Sequence, residues 1–292
     1  MLRRAALVYA AVLFGAFAAP ALGQSHDPER VRVALLPDQD PLTVIWANKP
    51  LAAYLEERLG RPVDLVVPED YDGIIEAMLE GEVELAYFGP VSYTIAADRA
   101  AGGAFEIVPF AARMRDGGTT YRSVVIAGTN SGIADIAEIE GSGIDLAYGD
   151  PSSTSSHMAP RYMLLEAGVT EGDDYSAVFL GKHDLVAEAV ANGQVPVGAL
   201  SRVIYERLLR EGTLSESDVR VIATTEALPQ YPWTMRSDLT PELREAIRSA
   251  FLGLQKGSPW MDAVLLPFGA DGFAPIEDGD YRVIRAIRDR VG

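Results

Sequence analysis

A run of hydroxyl side chains, Ser152-Ser153-Thr154-Ser155-Ser156, lies between a segment that predicts a strand and one that predicts a helix. A helix N-terminus exposes unpaired backbone N–H groups and carries about half a positive charge, so it can bind a tetrahedral anion without Lys or Arg. Hydroxyls on successive residues add neutral donors, each contributing ~1.5–3 kcal/mol when the acceptor is charged. Taken alone, such a run is more often only a helix cap and turn, because Ser and Thr favour those places.

The segments around this run alternate between strands and helices. Short apolar runs predict strands at residues 31–36, 63–67, 83–88, 106–111, 121–127, 144–148, 177–180, 197–200 and 219–223. Helical spacing predicts helices at 44–59, 70–79, 91–100, 133–139, 184–191 and 202–210, one that ends at 167 and one that opens at Pro241. Pro50 should kink the first helix or mark its start. The alternation favours parallel sheets covered on both faces, whose ligands bind beyond the carboxyl ends of the strands.

Two breaks in this alternation predict crossovers between two lobes. The polar, glycine-rich segment 113–118 is the first candidate, and segment 224–230 is the second. We therefore predict a first lobe at 24–115, a second lobe at 116–224, and a return to the first lobe at 225–292. Two open α/β lobes that face each other would enclose one ligand between their edges.

The N-terminus has the layout of a secretory signal peptide at residues 1–23. Arg3 and Arg4 precede an apolar run that extends to Leu22, and small residues at Ala21 and Gly23 permit cleavage. A membrane anchor is the alternative, but the cleavage site and the lack of a later apolar stretch of ~18 residues disfavour it. Because the chain has no cysteine, a lipidated anchor is excluded, and we expect a periplasmic protein.

The composition narrows the classes of function. A formal net charge of −17 argues against nucleic acid and anionic lipid as partners, so an anion site must attract its ligand locally. There is no Gly-x-Ser-x-Gly elbow and no phosphate-binding loop for nucleotide hydrolysis, and His26, His157 and His183 form no metal-binding motif. We therefore expect no catalytic residues, no metal and no cofactor.

Four segments carry a family resemblance: 85–93 (LAYFGPVSY), 121–123 (YRS), 150–155 (DPSSTS) and 181–184 (GKHD). With these segments in order, the chain closely resembles the phosphonate-binding (PhnD-like) branch of the type 2 periplasmic binding proteins of ABC transporters. The resemblance implies two open α/β lobes joined by a two-strand hinge, with the ligand in the cleft between them. It also implies that a monomer delivers a phosphonate, phosphite or phosphate to a permease and its ATPase.

The resemblance also assigns binding residues by position. Ser153, Thr154 and Ser155 would hold the oxyanion, and His183 would add a ring N–H. Tyrosines that line the family's cleft correspond to Tyr71, to Tyr121 and, more weakly, to Tyr93. Without the resemblance, such tyrosines are as often core residues, and a histidine beside Asp184 is more often a surface or capping residue.

One departure from the family bears on specificity. Members that bind aminoalkylphosphonates pair the ammonium with acidic side chains, yet Ser201 and the Gln230-Tyr231 pair occupy the corresponding positions here. A buried ammonium without a carboxylate partner is costly, so we expect compact ligands without an amine.

Two other classes of function remain open from the sequence. A sensory module that signals to a membrane histidine kinase or chemoreceptor would have the same site. An exported hydrolase would need a nucleophile beside a base, which the sequence does not place together.

Overall fold

The computed structural model describes residues 25–254 and 257–292. The signal peptide that the sequence predicts at 1–23 lies outside the described residues. Across the described ranges, no helix combines the length and the apolar character that crossing a bilayer requires.

The N-terminal part alternates between strands and helices, as predicted. Its elements are β1 (Val31–Leu35), α1 (Pro41–Leu59), β2 (Val63–Val66), α2 (Tyr71–Leu79), β3 (Leu85–Tyr87), α3 (Pro90–Ala100) and β4 (Ile107–Met114). Helix α1 begins earlier than predicted, because the Asp40 carboxylate caps it by accepting from the Thr43 N–H at 3.0 Å. Pro50 lies inside this helix and does not mark its start.

The middle part forms a second α/β series. Its elements are β5 (Thr120–Tyr121), β6 (Ser123–Gly128), β7 (Ile144–Tyr148), α4 (Ala159–Glu166), β8 (Tyr175–Phe179), α5 (His183–Ala191), β9 (Val197–Ser201), α6 (Arg202–Glu211) and β10 (Val219–Thr224). The predicted helix at 133–139 is only a 3-10 turn, Ile136–Ile139. A π-helical turn, Thr154–Met158, precedes α4.

The C-terminal part returns to the first sheet. Its elements are β11 (Leu228–Pro229), β12 (Pro232–Arg236), α7 (Pro241–Leu252), α8 (Met261–Leu265), β13 (Gly272–Ala274) and α9 (Arg282–Val291). Helix α7 opens as predicted, with Pro241 in its first turn and the Thr240 hydroxyl accepting from the Leu243 N–H at 3.4 Å.

Each lobe is built on one mixed sheet, so the prediction of purely parallel sheets is wrong. The first sheet has the order β13-β4-β12-β3-β1-β2, in which β1 runs parallel to β2 and β3 while β12 and β13 pair antiparallel. The second has the order β10-β6-β9-β7-β8, in which β7 is parallel to β8 and β9, and β6 pairs antiparallel with β9 and β10. A run of apolar residues identifies a strand, but it does not show whether the strand pairs parallel or antiparallel with its neighbours.

A short two-stranded sheet joins the lobes. Strands β5 and β11 pair antiparallel, with Tyr121 opposite Leu228 and Thr120 opposite Pro229. The predicted fold, two α/β lobes with a two-strand hinge, is confirmed. The predicted lobe boundaries at 115/116 and 224/225 stay a prediction. Strand β4 continues to Met114, inside the segment predicted as the first crossover.

Buried apolar clusters cover both faces of both sheets. In the first lobe, one cluster lies under α1, α7 and α8, and the other under α2, α3 and α9. In the second lobe, α5 and α6 cover one face and α4 covers the other. This packing holds the carboxyl ends of the parallel strands toward the space between the lobes, where the loops after β1, β3, β7 and β8 meet.

Candidate anion-binding site

The loop after β7 carries the hydroxyls that the sequence singled out. Ser153, Thr154 and Ser155 are at most 1% exposed and lie where this loop enters the π-helical turn. The Ser153 Oγ accepts from the Ser156 N–H at 3.1 Å and so caps that turn. Ser153 therefore caps the turn, and the hydroxyls of Thr154 and Ser155 have other partners.

The hydroxyls of Thr154 and Ser155 meet groups that belong to the first lobe and its return segment. The Thr154 Oγ1 accepts from the Val91 N–H, in the first turn of α3, at 2.7 Å. The Ser155 Oγ lies 3.1 Å from the hydroxyl of Tyr231, which follows the hinge strand β11. Both hydroxyls thus lie between the lobes, where a ligand oxygen can take the place of one of these bonds.

A second layer of hydrogen bonds holds this loop against its own sheet. The Ser156 Oγ accepts from the Gly149 N–H at 2.8 Å and donates to the Ala199 carbonyl, and the Ser123 Oγ donates to the Ser155 carbonyl. A Cβ at Gly149 would lie 2.8 Å from the Ser156 Oγ, so this close approach requires glycine. The loop is therefore held in place before any ligand binds.

His183 begins α5 and is 1% exposed. Its Nδ1 accepts from the Ser201 N–H at 3.0 Å, which assigns the ring proton to Nε2. This Nε2 is buried without a hydrogen-bond partner in the described part of the chain. Burial lowers the pKa of His183 to about 3, so the ring is a neutral donor. The Gly181 N–H donates to the Gly149 carbonyl at 3.0 Å and brings this helix start beside the hydroxyl loop.

Tyr121 lies on hinge strand β5 and is 6% exposed. Its ring packs edge-on against Tyr231, with centroids 5.0 Å apart, and its buried hydroxyl has no well-formed hydrogen bond among the described residues. Burial raises the pKa of Tyr121, and the side chains of Ser155, Tyr231 and Thr154 lie close enough to oppose that rise in part. This hydroxyl is a second free donor beside the loop.

Tyr71 approaches the same loop from the first lobe. It begins α2, is 1% exposed, and its backbone N–H donates to the Asp150 Oδ2 at 3.4 Å. Burial raises its pKa well above the usual value, Asp38 and Asp150 add to the rise, and the nearby Ser153 side chain opposes it in part. The structure thus brings Tyr71 together with the loop, Tyr121 and His183.

Tyr93 is not brought to this group. Its ring is fully buried against Tyr281, with centroids 4.9 Å apart, and its hydroxyl donates to the Asp278 Oδ1 at 2.7 Å. The hydroxyl therefore points into the contact between α3 and the C-terminal segment. This position does not fit the binding role that the resemblance gave to Tyr93.

Two residues that lie at this site, Tyr231 and Asp38, were not predicted from the sequence as binding residues. Tyr231 was considered only as an uncharged position, yet its hydroxyl contacts Ser155. Asp38 follows β1, is 7% exposed, and accepts from the His183 backbone N–H through its carbonyl at 3.0 Å. The rule that ligands bind beyond the carboxyl ends of parallel strands would have pointed to Asp38.

The side chain of Asp38 should make stability depend on pH. Burial raises its pKa to about 6 from 3.8, with a contribution from Asp184, while Gln39, Arg113 and Arg207 oppose the rise. The folded state therefore binds this proton more tightly than the unfolded chain. The stabilisation from this bound proton is complete below the pKa of Asp38 in the unfolded chain, and it is lost as the pH rises through about 6.

Asp38→Asn should remove this dependence and stabilise the protein at pH 8 by about 1.4 kcal/mol more than at pH 5. The measurement is the melting temperature at both pH values, with a gain at pH 8 that exceeds the gain at pH 5 by roughly 3–6 °C. Asp145→Asn, an exposed position on β7, removes the same charge and serves as control. Equal shifts at the two pH values for Asp38→Asn would contradict this explanation.

No group of three or more His, Cys, Asp or Glu side chains suited to a metal ion occurs within residues 25–254 and 257–292. The donors that converge between the lobes are hydroxyls and a neutral imidazole N–H. Every member of this set can donate a hydrogen bond, and the donors nearest the loop carry no charge. Such a set suits an oxyanion, which offers only acceptors.

Two α/β lobes, a two-strand hinge and a buried set of donors between them define a substrate-binding protein of the type 2 periplasmic class. The chain belongs to the family described as the periplasmic substrate-binding protein of the phosphonate ABC transporter, whose model matches residues 33–281.

Named relatives agree with this assignment. The chain is 27% identical to the phosphate-import protein PhnD of Mycolicibacterium smegmatis, with 91% of this chain and 87% of that protein covered. It is 29% identical to the phosphonates-binding periplasmic protein of Escherichia coli, with 82% and 70% covered. The solved structure of PhnD1 from Prochlorococcus marinus in complex with methylphosphonate superposes with a TM-score of 0.82, at 21% identity, covering 90% of this chain and 98% of that one. These relatives are named for import or binding, which gives no support to the sensory alternative.

Proposed function

We propose that this protein captures a small phosphorus oxyanion, a phosphonate, phosphite or phosphate, and delivers it to the permease of an ABC importer. The observation that carries the proposal is the pair of buried donors without partners, the His183 Nε2–H and the Tyr121 hydroxyl, beside Thr154 and Ser155. Each unsatisfied buried donor costs about 1–3 kcal/mol. A ligand oxygen that accepts from both would recover this cost on binding.

The ligand would bind between the hydroxyl loop and the first lobe. Thr154 and Ser155 would donate from the second lobe with His183, Tyr121 from the hinge, and Tyr71 from the first lobe. Four or five such bonds to a charged acceptor, at ~1.5–3 kcal/mol each, support micromolar or tighter binding after the cost of association. The relatives named for phosphate and phosphonates support this class of ligand.

Closure of the lobes would present the loaded protein to the permease. Contacts between the lobes already join Asp40 to Asp184, N–H to Oδ2 at 3.0 Å, and the Thr154 hydroxyl to Val91. A ligand that bridges the lobes would add to these contacts and shift the hinge toward the closed form. We propose that the exported protein acts in the periplasm as a monomer, after removal of the signal peptide at 1–23.

The site also supports a binding role without turnover. The His183 Nδ1 already accepts from the Ser201 N–H, and the other ring nitrogen carries the proton. The ring therefore offers no free base to the Ser155 hydroxyl, as a hydrolase would require.

A thermal-shift panel tests the proposed function. We expect phosphate, phosphite or methylphosphonate at ~100 times its Kd to stabilise the protein by about 2.7 kcal/mol, a rise in melting temperature of roughly 5–10 °C. Sulfate and arsenate test the selectivity of the site. If none of the phosphorus species raises the melting temperature, the proposal is wrong.

A further inference from the structure

A cavity of about 120 Å³ lies between the lobes beside the proposed oxyanion site. Tyr121 and Tyr231 form the wall that the cavity shares with that site, since Tyr231 contacts the Ser155 hydroxyl at 3.1 Å. Ser201 and Gln230, the uncharged residues at the positions where the family's amine-binding acids are expected, also line it. A short substituent on the phosphorus atom would extend into this cavity.

Arg113, near the end of β4, also lines this cavity. Its side chain lies between the Tyr87 and Phe268 rings, 4.5 and 3.5 Å from their centroids, and the residue is 7% exposed. The guanidinium donates to the Tyr87 hydroxyl at 2.7 Å and to the Asn48 Oδ1 at 3.3 Å, and its buried Nε has no partner. Within the described ranges Arg113 forms no ion pair. A buried cation whose direct hydrogen-bond partners are all neutral can accept an anion from outside.

The remaining charges of the cavity favour an anion as well. Arg115, Arg207 and Arg210 line it, and Asp38 is the one carboxylate among the described residues that do so. Arg115 pairs with Glu206 at 3.8 Å and Arg207 pairs with Glu211, whereas Arg210 forms no ion pair within the described ranges. The Asp38 carboxylate also accepts from the Gln39 side-chain amide at 3.2 Å. In a chain with a net charge of −17, the guanidinium groups of Arg113 and Arg210 supply the local attraction that an anionic ligand needs.

We propose that the ligand carries a second anionic group, and that Arg113 binds it as a carboxylate on a short substituent of a phosphonate. This inference rests on the proposed function, because it assumes that the phosphonate group occupies the neighbouring hydroxyl loop. Arg113 suits the task because its planar fork can donate two parallel bonds to a carboxylate. An ammonium in the same cavity would be repelled by the Arg113 guanidinium and would find Asp38 as the one carboxylate among the described lining residues.

Titration calorimetry of the full-length mature protein with phosphonoacetate, methylphosphonate and 2-aminoethylphosphonate tests the inference. We expect phosphonoacetate to bind at least about tenfold more tightly than methylphosphonate, and 2-aminoethylphosphonate more weakly than both. In Arg113→Met, the ratio of phosphonoacetate to methylphosphonate affinity should fall to near one. Arg113→Lys should restore part of the ratio, because a charge remains without the fork.

The outcomes separate this inference from the function on which it rests. If methylphosphonate binds and phosphonoacetate binds no more tightly, the second anionic group is wrong while the oxyanion site stands. Tighter binding of 2-aminoethylphosphonate than of either other ligand would also overturn the inference, and it would assign Asp38 as an amine acceptor. If no phosphonate binds, both proposals fail. Arg61→Met, at an exposed ion pair with Asp27, is the matched control and should keep the wild-type ratio.

Discussion

Replacing Thr154 with Val and Ser155 with Ala in one variant should weaken methylphosphonate binding by about 10²–10⁴-fold. Each hydroxyl is expected to donate to a charged oxygen at ~1.5–3 kcal/mol, and 1.4 kcal/mol corresponds to a factor of ten in Kd. Ser153 is left unchanged because its hydroxyl caps the turn at Ser156, and its loss would mix folding with binding. Titration calorimetry gives the Kd, and circular dichroism reports whether the variant is folded.

Two variants make this prediction specific. Thr154→Ser keeps the hydroxyl that meets the Val91 N–H and should retain most of the affinity. Ser152→Ala removes a hydroxyl from the same loop at a half-buried position and should bind as the wild type does. If the double variant binds methylphosphonate within about threefold of the wild type, the ligand does not lie on this loop.

His183→Asn should weaken binding by about 10–100-fold with little change in melting temperature. The Asn Oδ1 can take the place of the histidine Nδ1 and accept from the Ser201 N–H, whereas the donor at Nε2 is lost. His183→Ala removes both functions. It should lose about 1–3 kcal/mol of stability as well, because the buried Ser201 N–H then has no acceptor. Calorimetry and thermal melting of the two variants separate binding from folding.

Tyr93→Phe is the matched control for this prediction. It removes a buried hydroxyl that donates to Asp278 and not to the proposed ligand, so the Kd for methylphosphonate should be unchanged. A large loss of affinity in Tyr93→Phe, or none in His183→Asn, would contradict the assignment of donors.

Local sequence patterns predicted most elements of the fold but not the direction of their strands. The alternating segments from β1 to β4 and the helix caps at Asp70 and Thr240 follow from apolar spacing and capping residues. The strands β12 and β13 were missed because they are short and pair with β4 across long sequence distances. Their pairing depends on packing in the first lobe, and a local sequence pattern does not contain this information.

The hydroxyl loop could be predicted from the sequence, but its neighbours could not be derived from spacing. Ser153 to Ser155 lie in one run after a recognisable strand, and the family resemblance pointed to His183, Tyr71 and Tyr121. The contact between Tyr231 and Ser155 joins residues 76 positions apart and depends on how the lobes close. The same is true of Arg113, which forms no ion pair in the described part of the chain although Asp38 lines the same cavity.

A crystal structure of the protein with bound methylphosphonate tests the oxyanion site most directly. We predict that the phosphonate oxygens lie about 2.6–3.2 Å from the Thr154 and Ser155 hydroxyls, the Tyr121 hydroxyl and the His183 Nε2, with no Lys or Arg in contact. A phosphonate bound elsewhere, or one held by arginine while the His183 Nε2 remains without a partner, would contradict this account.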